Sequence, residues 1–243
     1  THPAPNDRLS ALQTIPAARQ PGEADRAGYL ALIDGMSVDD APEEGFVRGS
    51  TFLHPTMRLA FEAPSDFRLL NDHDGVFGFG RDRSAMNFSC SPDKVAGRLD
   101  DWMRNKLKPT PTDIEATTIG GMEAAIGARP RGADTGLAQV RYVLIRFGDG
   151  VCYFNLASDG PDRDRRIDVL LNAARSFRAL TAAEAAALKP YRLHIVPRGS
   201  GSAAQYAQRL PYGDHRMARL LALNGVDNAA EFTQRSEIKL VEP

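Results

Sequence analysis

The alternation of apolar and polar positions changes character several times along the chain, and these changes divide it. Leu9, Leu12 and Ile15 recur at helical spacing until Pro16 interrupts them, and Ala27, Leu30, Ile33 and Met36 do so again across residues 23–36, with Gly35 near the end. Two short helices are predicted there, with an apolar face but too little of it to make a core. Residues 37–50 are polar and turn-rich, carrying Asp39, Asp40, Pro42, Glu43, Glu44 and Gly45, and read as an arm or linker.

From residue 51 the pattern becomes that of strands. Segments 52–54, 58–63, 67–71, 76–81 and 85–90 are separated by Pro55-Thr56, Pro64-Ser65-Asp66, Asp72-His73-Asp74-Gly75 and Arg81-Asp82-Arg83-Ser84. Leu59, Phe61 and Ala63 alternate, so one face of that strand points inward. Ser91-Pro92-Asp93 predicts a helix start, with Val95, Leu99, Trp102, Met103 and Leu107 as its buried stripe. Strands resume over 113–119 and 122–129, joined by Gly120-Gly121, and over 136–147 and 150–157, joined by Gly148-Asp149. Ile167, Leu170, Leu171, Ala174 and Phe177 mark an amphipathic helix over 165–180, and Thr181 with Glu184 form a capping box for a short helix to Leu188. The rest reads strand (192–196), helix (202–210), helix (215–223), loop and strand (237–241). The expected fold class is α+β: an antiparallel sheet packed with helices, followed by a small βααβ module and preceded by two short helices. The domains are 1–36, 37–50, 51–189 and 190–243.

Composition narrows the function little. The 243 residues are 42% hydrophobic and 25% charged with a formal net charge of −1, ordinary for a folded protein and without the basic field that nucleic acid requires. No apolar run approaches 18 residues, so no membrane span is expected. Cys90 and Cys152 read either as two small buried hydrophobes, the favoured reading, or as a pair if their strands are neighbours in an oxidising compartment. There is no GxSxG, P-loop, GxGxxG or HExxH. Asp72-His73-Asp74 could be drawn as a metal site but carries the residue types of a solvated hairpin tip, and His54 and His194 read as packing or hydrogen-bonding positions. Asp39, Asp40, Glu43 and Glu44 read as a solvated acidic arm.

Three stretches then point to one family. Thr1-His2-Pro3 with Arg8, Gly45-Phe46-Val47-Arg48-Gly49 leading into Phe52-Leu53-His54-Pro55, and the terminal βααβ module together resemble the C-terminal half of bacterial HtpX-like zinc metallopeptidases, the HExxH minigluzincins of the cell envelope. The resemblance implies that zinc is held upstream of Thr1 by the two HExxH histidines and a glutamate. The first residue being Thr rather than Met, the expectation is a cut edge with the catalytic domain missing. It gives His2 a role beside that metal, as a fourth zinc contact or an oxyanion donor, and implies zinc in the parent protein but no cofactor in this chain.

The central strands and helices, opening on Phe61-Glu62-Ala63-Pro64 and Phe67, are similar to PsbP/Mog1-type domains, usually docking or assembly surfaces. The last module looks like a LysM-type peptidoglycan-binding repeat with Leu223-Asn224-Gly225 in place. It departs at Gly199-Ser200-Gly201-Ser202, where such repeats favour Gly-Asp-Thr, and at Gln234-Arg235-Ser236, where they favour Pro-Gly-Gln. Gly199, Ser200, Ser202 and Asn224 are the glycan-contacting candidates this implies. The expected function is the accessory, substrate- or wall-binding region of a periplasmic or envelope zinc metalloendopeptidase, inactive alone; the alternative is a free-standing protein- or peptidoglycan-binding module. The implied partners are the missing catalytic domain, peptidoglycan and envelope proteins.

Overall fold

Turn residues decide where this chain folds back, and in the computed structural model, which describes residues 25–130 and 139–243, nearly every turn named above joins two paired strands. Strands β5 (Arg68–Asp72), β6 (Gly75–Phe79), β7 (Ser84–Ser91), β8 (Thr112–Ile119), β9 (Met122–Ala128), β10 (Gln139–Phe147) and β11 (Gly150–Ser158) form a seven-stranded antiparallel sheet, order β5-β6-β7-β11-β10-β9-β8. Gly120 and Gly121, φ 57° and 79°, supply the two left-handed central residues of a tight hairpin that only glycine adopts without strain.

A second sheet, order β12-β4-β3-β2, is built from β2 (Phe46–Arg48), β3 (Thr51–His54), β4 (Leu59–Glu62) and β12 (Arg178–Ala179). Together with helix α3 (Arg163–Arg175) it covers one face of the large sheet. Between them lies an aromatic core: the rings of Phe88 and Phe154 are 4.7 Å apart, Phe61 and Phe88 4.8 Å, and Phe61 and Phe154 5.1 Å. Among the described residues the other face is covered at one end only, where helix α2 (Leu99–Lys106) packs Leu99 and Met103 on Ala125, Leu144 and Val151.

Within the described residues the predicted helices hold, with shifted ends. Helix α2 starts at Leu99, six residues after the predicted Asp93, because Arg146 pulls the intervening segment into a loop by donating to the Val95 and Gly97 carbonyls at 2.8 and 2.7 Å. Glu123 then accepts from the Leu99 N–H at 2.7 Å, satisfying a donor that a helix start leaves open. Helix α3 stops at Arg175 rather than near Leu180, since Arg178 and Ala179 pair with Ala60 and Leu59. Helix α4 (Ala182–Ala187) has the predicted Thr181–Glu184 capping box.

The terminal module differs from βααβ. It runs β13 (Tyr191–Pro197), α5 (Ala203–Arg209), α6 (Arg216–Asn224), α7 (Ala229–Thr233) and β14 (Glu237–Glu242), so a third helix stands where a loop was expected. Asn228 caps it by accepting from the Glu231 N–H at 3.0 Å. The sheet is also completed from elsewhere: β1 (Ser37–Val38), from the presumed arm, pairs with Arg192 and Tyr191 of β13. Helix α1 (Arg26–Ile33), shorter than the predicted 23–36, lies alongside, its Ile33 packing on the module core with Val38. The Gly35 N–H donates to Leu193 O at 2.8 Å, Leu193 N–H to Met36 O at 2.9 Å, and Ile195 N–H to the Asp34 carboxylate at 2.9 Å. Residues 26–38 therefore pack with the last fifty residues, and the sandwich lies between them in sequence. The helix expected over 9–20, and His2, lie outside the described residues.

Cys90 and Cys152 are bonded to each other, opposite one another on β7 and β11, correcting the reading of two separate buried thiols. The register places their side chains on one face of one sheet, a neighbour relation that sequence spacing does not reveal.

Candidate functional site

The motif that carried the resemblance is a joint. Phe46 is fully buried and Gly45 has φ 86°, with no room for a side chain against the Phe52 ring. Arg48 then reaches out of β2: its guanidinium lies 4.7 Å from the Phe46 ring centroid and 3.4 Å from that of Tyr191 in the terminal module, and donates to Lys189 O at 3.2 Å. The stack continues through Tyr212, edge-on to Tyr191 at 6.1 Å, and ends in Arg219, 4.4 Å from the Tyr212 ring. Cation–π contacts of this kind contribute about 0.5–2 kcal/mol each, more as they are desolvated. Two of the four carboxylates read as a solvated arm belong here as well. Asp39 accepts from Tyr212 OH at 3.2 Å and Asp40 from the Val47 N–H at 2.8 Å, while Glu43 and Glu44 remain exposed. Burial, then Asp39 and its hydrogen bond, push the Tyr212 phenol up to about 12, so it stays a neutral donor.

His54 closes the β3–β4 turn. It is buried, its Nδ1 accepts from the Met57 N–H at 3.2 Å, and desolvation lowers its pKa below the usual value, keeping the ring neutral. His73 stands exposed at the β5–β6 tip between Asp72 (2.6 Å) and Asp74 (3.1 Å), and its hydrogen bond to Asp72 raises its pKa. His194 lies within β13, opposite Leu240. Among the described residues no group of three or more His, Cys, Asp or Glu side chains is placed to hold a metal, so they do not supply a zinc ligand set.

A serine beside a carboxylate does occur: Ser84 Oγ donates to Asp82 and accepts from Arg166, which also pairs with Asp66 at 2.6 Å and Asp82 at 2.8 Å. Ser84 is buried and engaged on both sides, with no imidazole beside it among the described residues, so this is a clamp fixing the β6–β7 turn to α3 rather than an activated nucleophile.

The four glycan candidates gather at one end of the terminal module in unequal states. Ser202 caps α5, its Oγ accepting from the Gln205 N–H at 3.3 Å. Asn224 is fully committed: its amide donates to Leu220 O (2.9 Å) and Lys239 O (3.0 Å), and its oxygen accepts from the Lys239 N–H (2.8 Å). It ties α6 to β14. Gly199 and Ser200 are exposed, and Arg198 joins this loop to the next by donating to Arg235 O at 3.0 Å.

The surface that sequence reading missed is the open part of the large sheet. Beyond the cover of α2, the register sets Leu70, Phe77, Asn87 and Asn155 side by side in one row, which ends on Tyr142 at the α2 cluster, with Arg68, Phe79, Ala85 and Ala157 in the next. Leu70 is 44% and Phe79 50% exposed, and neither Asn87 nor Asn155 hydrogen-bonds through its side chain to another described residue. The available signal was apolar residues at both parities of the β5–β6 hairpin, Leu69 with Leu70 and Val76 with Phe77, which one buried face cannot absorb. Exposed apolar side chains grouped beside amides are a composition that contact surfaces share.

No helix among the described residues is long and apolar enough to cross a membrane. The chain matches no protein-family model and no curated protein. Among solved structures it is similar to a protein of Bacteroides thetaiotaomicron VPI-5482 at 14% identity and TM-score 0.42, over 67% of this chain and 58% of that one. It therefore spans less than two thirds of that protein. It is similar to cyanobacterial PsbP (CyanoP) from Synechocystis sp. PCC 6803 at 14% identity and TM-score 0.42, over 55% of this chain and 94% of that one. LpqN of Mycobacterium tuberculosis, involved in cell envelope biogenesis, aligns at 17% identity and TM-score 0.32, over 64% and 97% of the two chains.

Proposed function

We propose that this chain is the accessory region of a cell-envelope zinc metalloendopeptidase and acts by binding: its PsbP/Mog1-like sandwich presents a docking face that positions the protease or its protein substrate. The observation that carries the binding role is the open face, with Leu70 and Phe79 exposed and Phe77 half-buried beside Asn87 and Asn155. The Cys90–Cys152 bond supports an oxidising compartment outside the cytoplasm. The protease assignment rests on the order of the Thr1-His2-Pro3, Gly45–Gly49 and Phe52–Pro55 stretches. On this reading the zinc site and the partner of His2 lie upstream. The chain alone then retains no stoichiometric zinc and leaves casein intact, whereas a longer product that includes an upstream HExxH segment holds zinc and cleaves casein. Phe79→Asp in that longer product raises KM for a folded protein substrate and leaves cleavage of a short peptide unchanged. Stoichiometric zinc on this chain alone contradicts the assignment, and an unchanged KM contradicts the docking face.

A second reading, a LysM-like module that binds peptidoglycan, is favoured by the exposed Gly199-Ser200 loop at the end of the terminal module. Sedimentation with purified sacculi tests it: retention that Ser200→Trp abolishes supports glycan binding there.

A further inference from the structure

The strand that borders the open face has a self-complementary sequence. Strand β5 is an edge of the seven-stranded sheet, hydrogen-bonded to β6 on one side. Its outer-face residues are Arg68, Leu70 and Asp72, a cation and an anion placed symmetrically about an exposed leucine. The strand is held firmly from its other face. Leu69 is buried, and the Asn71 amide donates to Glu44 O at 3.0 Å and Gly45 O at 3.2 Å. Among the described residues Arg68 has no ion-pair or hydrogen-bond partner. Asp72 uses Oδ1 for His73 and leaves Oδ2 for an incoming cation.

We infer that β5 pairs antiparallel with β5 of a second copy of this chain across a two-fold axis at Leu70. In that register Leu70 meets Leu70 of the second copy, Arg68 meets Asp72, and Asp72 meets Arg68. Both ion pairs and the apolar contact thus fall on the same face, as directly opposite cross-strand pairs do. An isologous contact needs a patch that complements itself, and a short edge strand with one cation and one anion about its centre meets that requirement. The same charges turn away other edges, because a strand offering a like charge at either position is repelled. The pairing also extends the open face, since each copy's Phe77 row continues through the two leucines into the other. The inference stands independently of what that face binds. Five residues a side make a small contact, so the dimer forms and dissociates reversibly.

Sedimentation equilibrium of the full chain, from low to high micromolar concentration, tests this. The chain is expected to show a reversible monomer–dimer equilibrium. Arg68→Asp or Asp72→Arg alone sets like charges opposite each other twice and weakens the dimer by roughly tenfold or more, while the chain carrying both changes regains it. Mixing the two single variants restores association, because every pair across the axis is then opposite in sign. A monomer at all concentrations overturns the inference, as does a dimer that the single reversals leave unchanged. Circular dichroism and melting verify that each variant is folded. If a single variant unfolds, the doubly reversed chain decides: dimerisation at wild-type strength supports the pairing and its loss contradicts it.

Discussion

The sandwich and the terminal module stabilise themselves by different means. The sandwich closes on its own residues, with six phenylalanines linked ring to ring, two sheets, a helix and a disulfide, drawn between Phe46 and Ala179. The terminal module has a small core around Leu193, Tyr206, Leu220, Phe232 and Leu240, and borrows a strand and a helix from residues 26–38. A unit of some fifty residues buries too little apolar surface to be robust alone. Taking its third strand from ahead of the sandwich adds area and also fixes the module's position, with Arg48 stacked between Phe46 and Tyr191 as the second tie. The acidic stretch that looked like a linker is therefore where the two regions are joined.

The widest break in this comparison comes from one ring in each core. Phe154→Ala leaves a cavity among Phe61, Phe88 and Phe177, and is expected to cost about 3–5 kcal/mol and lower the main thermal transition. Phe232→Ala, although also fully buried, is expected to melt the terminal module while the sandwich keeps its transition. Replacing both cysteines by alanine comes next, at about 2–4 kcal/mol confined to the sandwich, read from denaturant unfolding with a steeper slope, since the unfolded chain freed of the cross-link exposes more surface. Arg48→Ala removes the stack and the bond to Lys189 O and is expected to cost about 1–2 kcal/mol. Its signature is a separation of the two transitions, and Arg48→Lys does not rescue it, because an ammonium cannot stack flat between two rings.

The smallest effect is one of pH. Burial holds the His54 pKa in the folded protein below its ordinary 6.5, so the unfolded chain takes up a proton first as pH falls. That contribution is complete above 6.5 and is lost as the pH drops toward the folded value. His73, raised by Asp72, acts in the opposite sense: its contribution is present at low pH and lost as pH rises through its folded pKa. In melts across the mildly acidic range, His54→Gln should show a shallower fall than wild type, with His73 common to both. An identical slope would mean that His54 is not the residue responsible.

The sandwich was largely legible in the sequence because its strands are bounded by turn residues whose chemistry is local. Strands β1 and β2 were not, since Ser37-Val38 and Phe46-Val47-Arg48 are extended only because β13 and β3 pair with them. The start of α2 was misread for a related reason. Ser91-Pro92-Asp93 has the composition of a helix start, but Arg146, more than fifty residues away, holds the segment in a loop. Of the candidate site, the loop position of Gly199 and Ser200 was readable. The commitment of Asn224 to β14 was not, because nothing local distinguishes an amide that binds a ligand from one that ties two elements. Leu70 and Phe79 look like core in one dimension, and only the sheet shows that they face solvent.

Hydrogen exchange, comparing the full chain with one lacking residues 1–38, tests most directly whether the terminal module depends on the segment ahead of the sandwich. The borrowed strand and helix predict that amides of 191–242 lose protection in the shorter chain while those of β7, β10 and β11 keep theirs. Unchanged protection in β13 and β14 would contradict it and make the terminal module an autonomous domain.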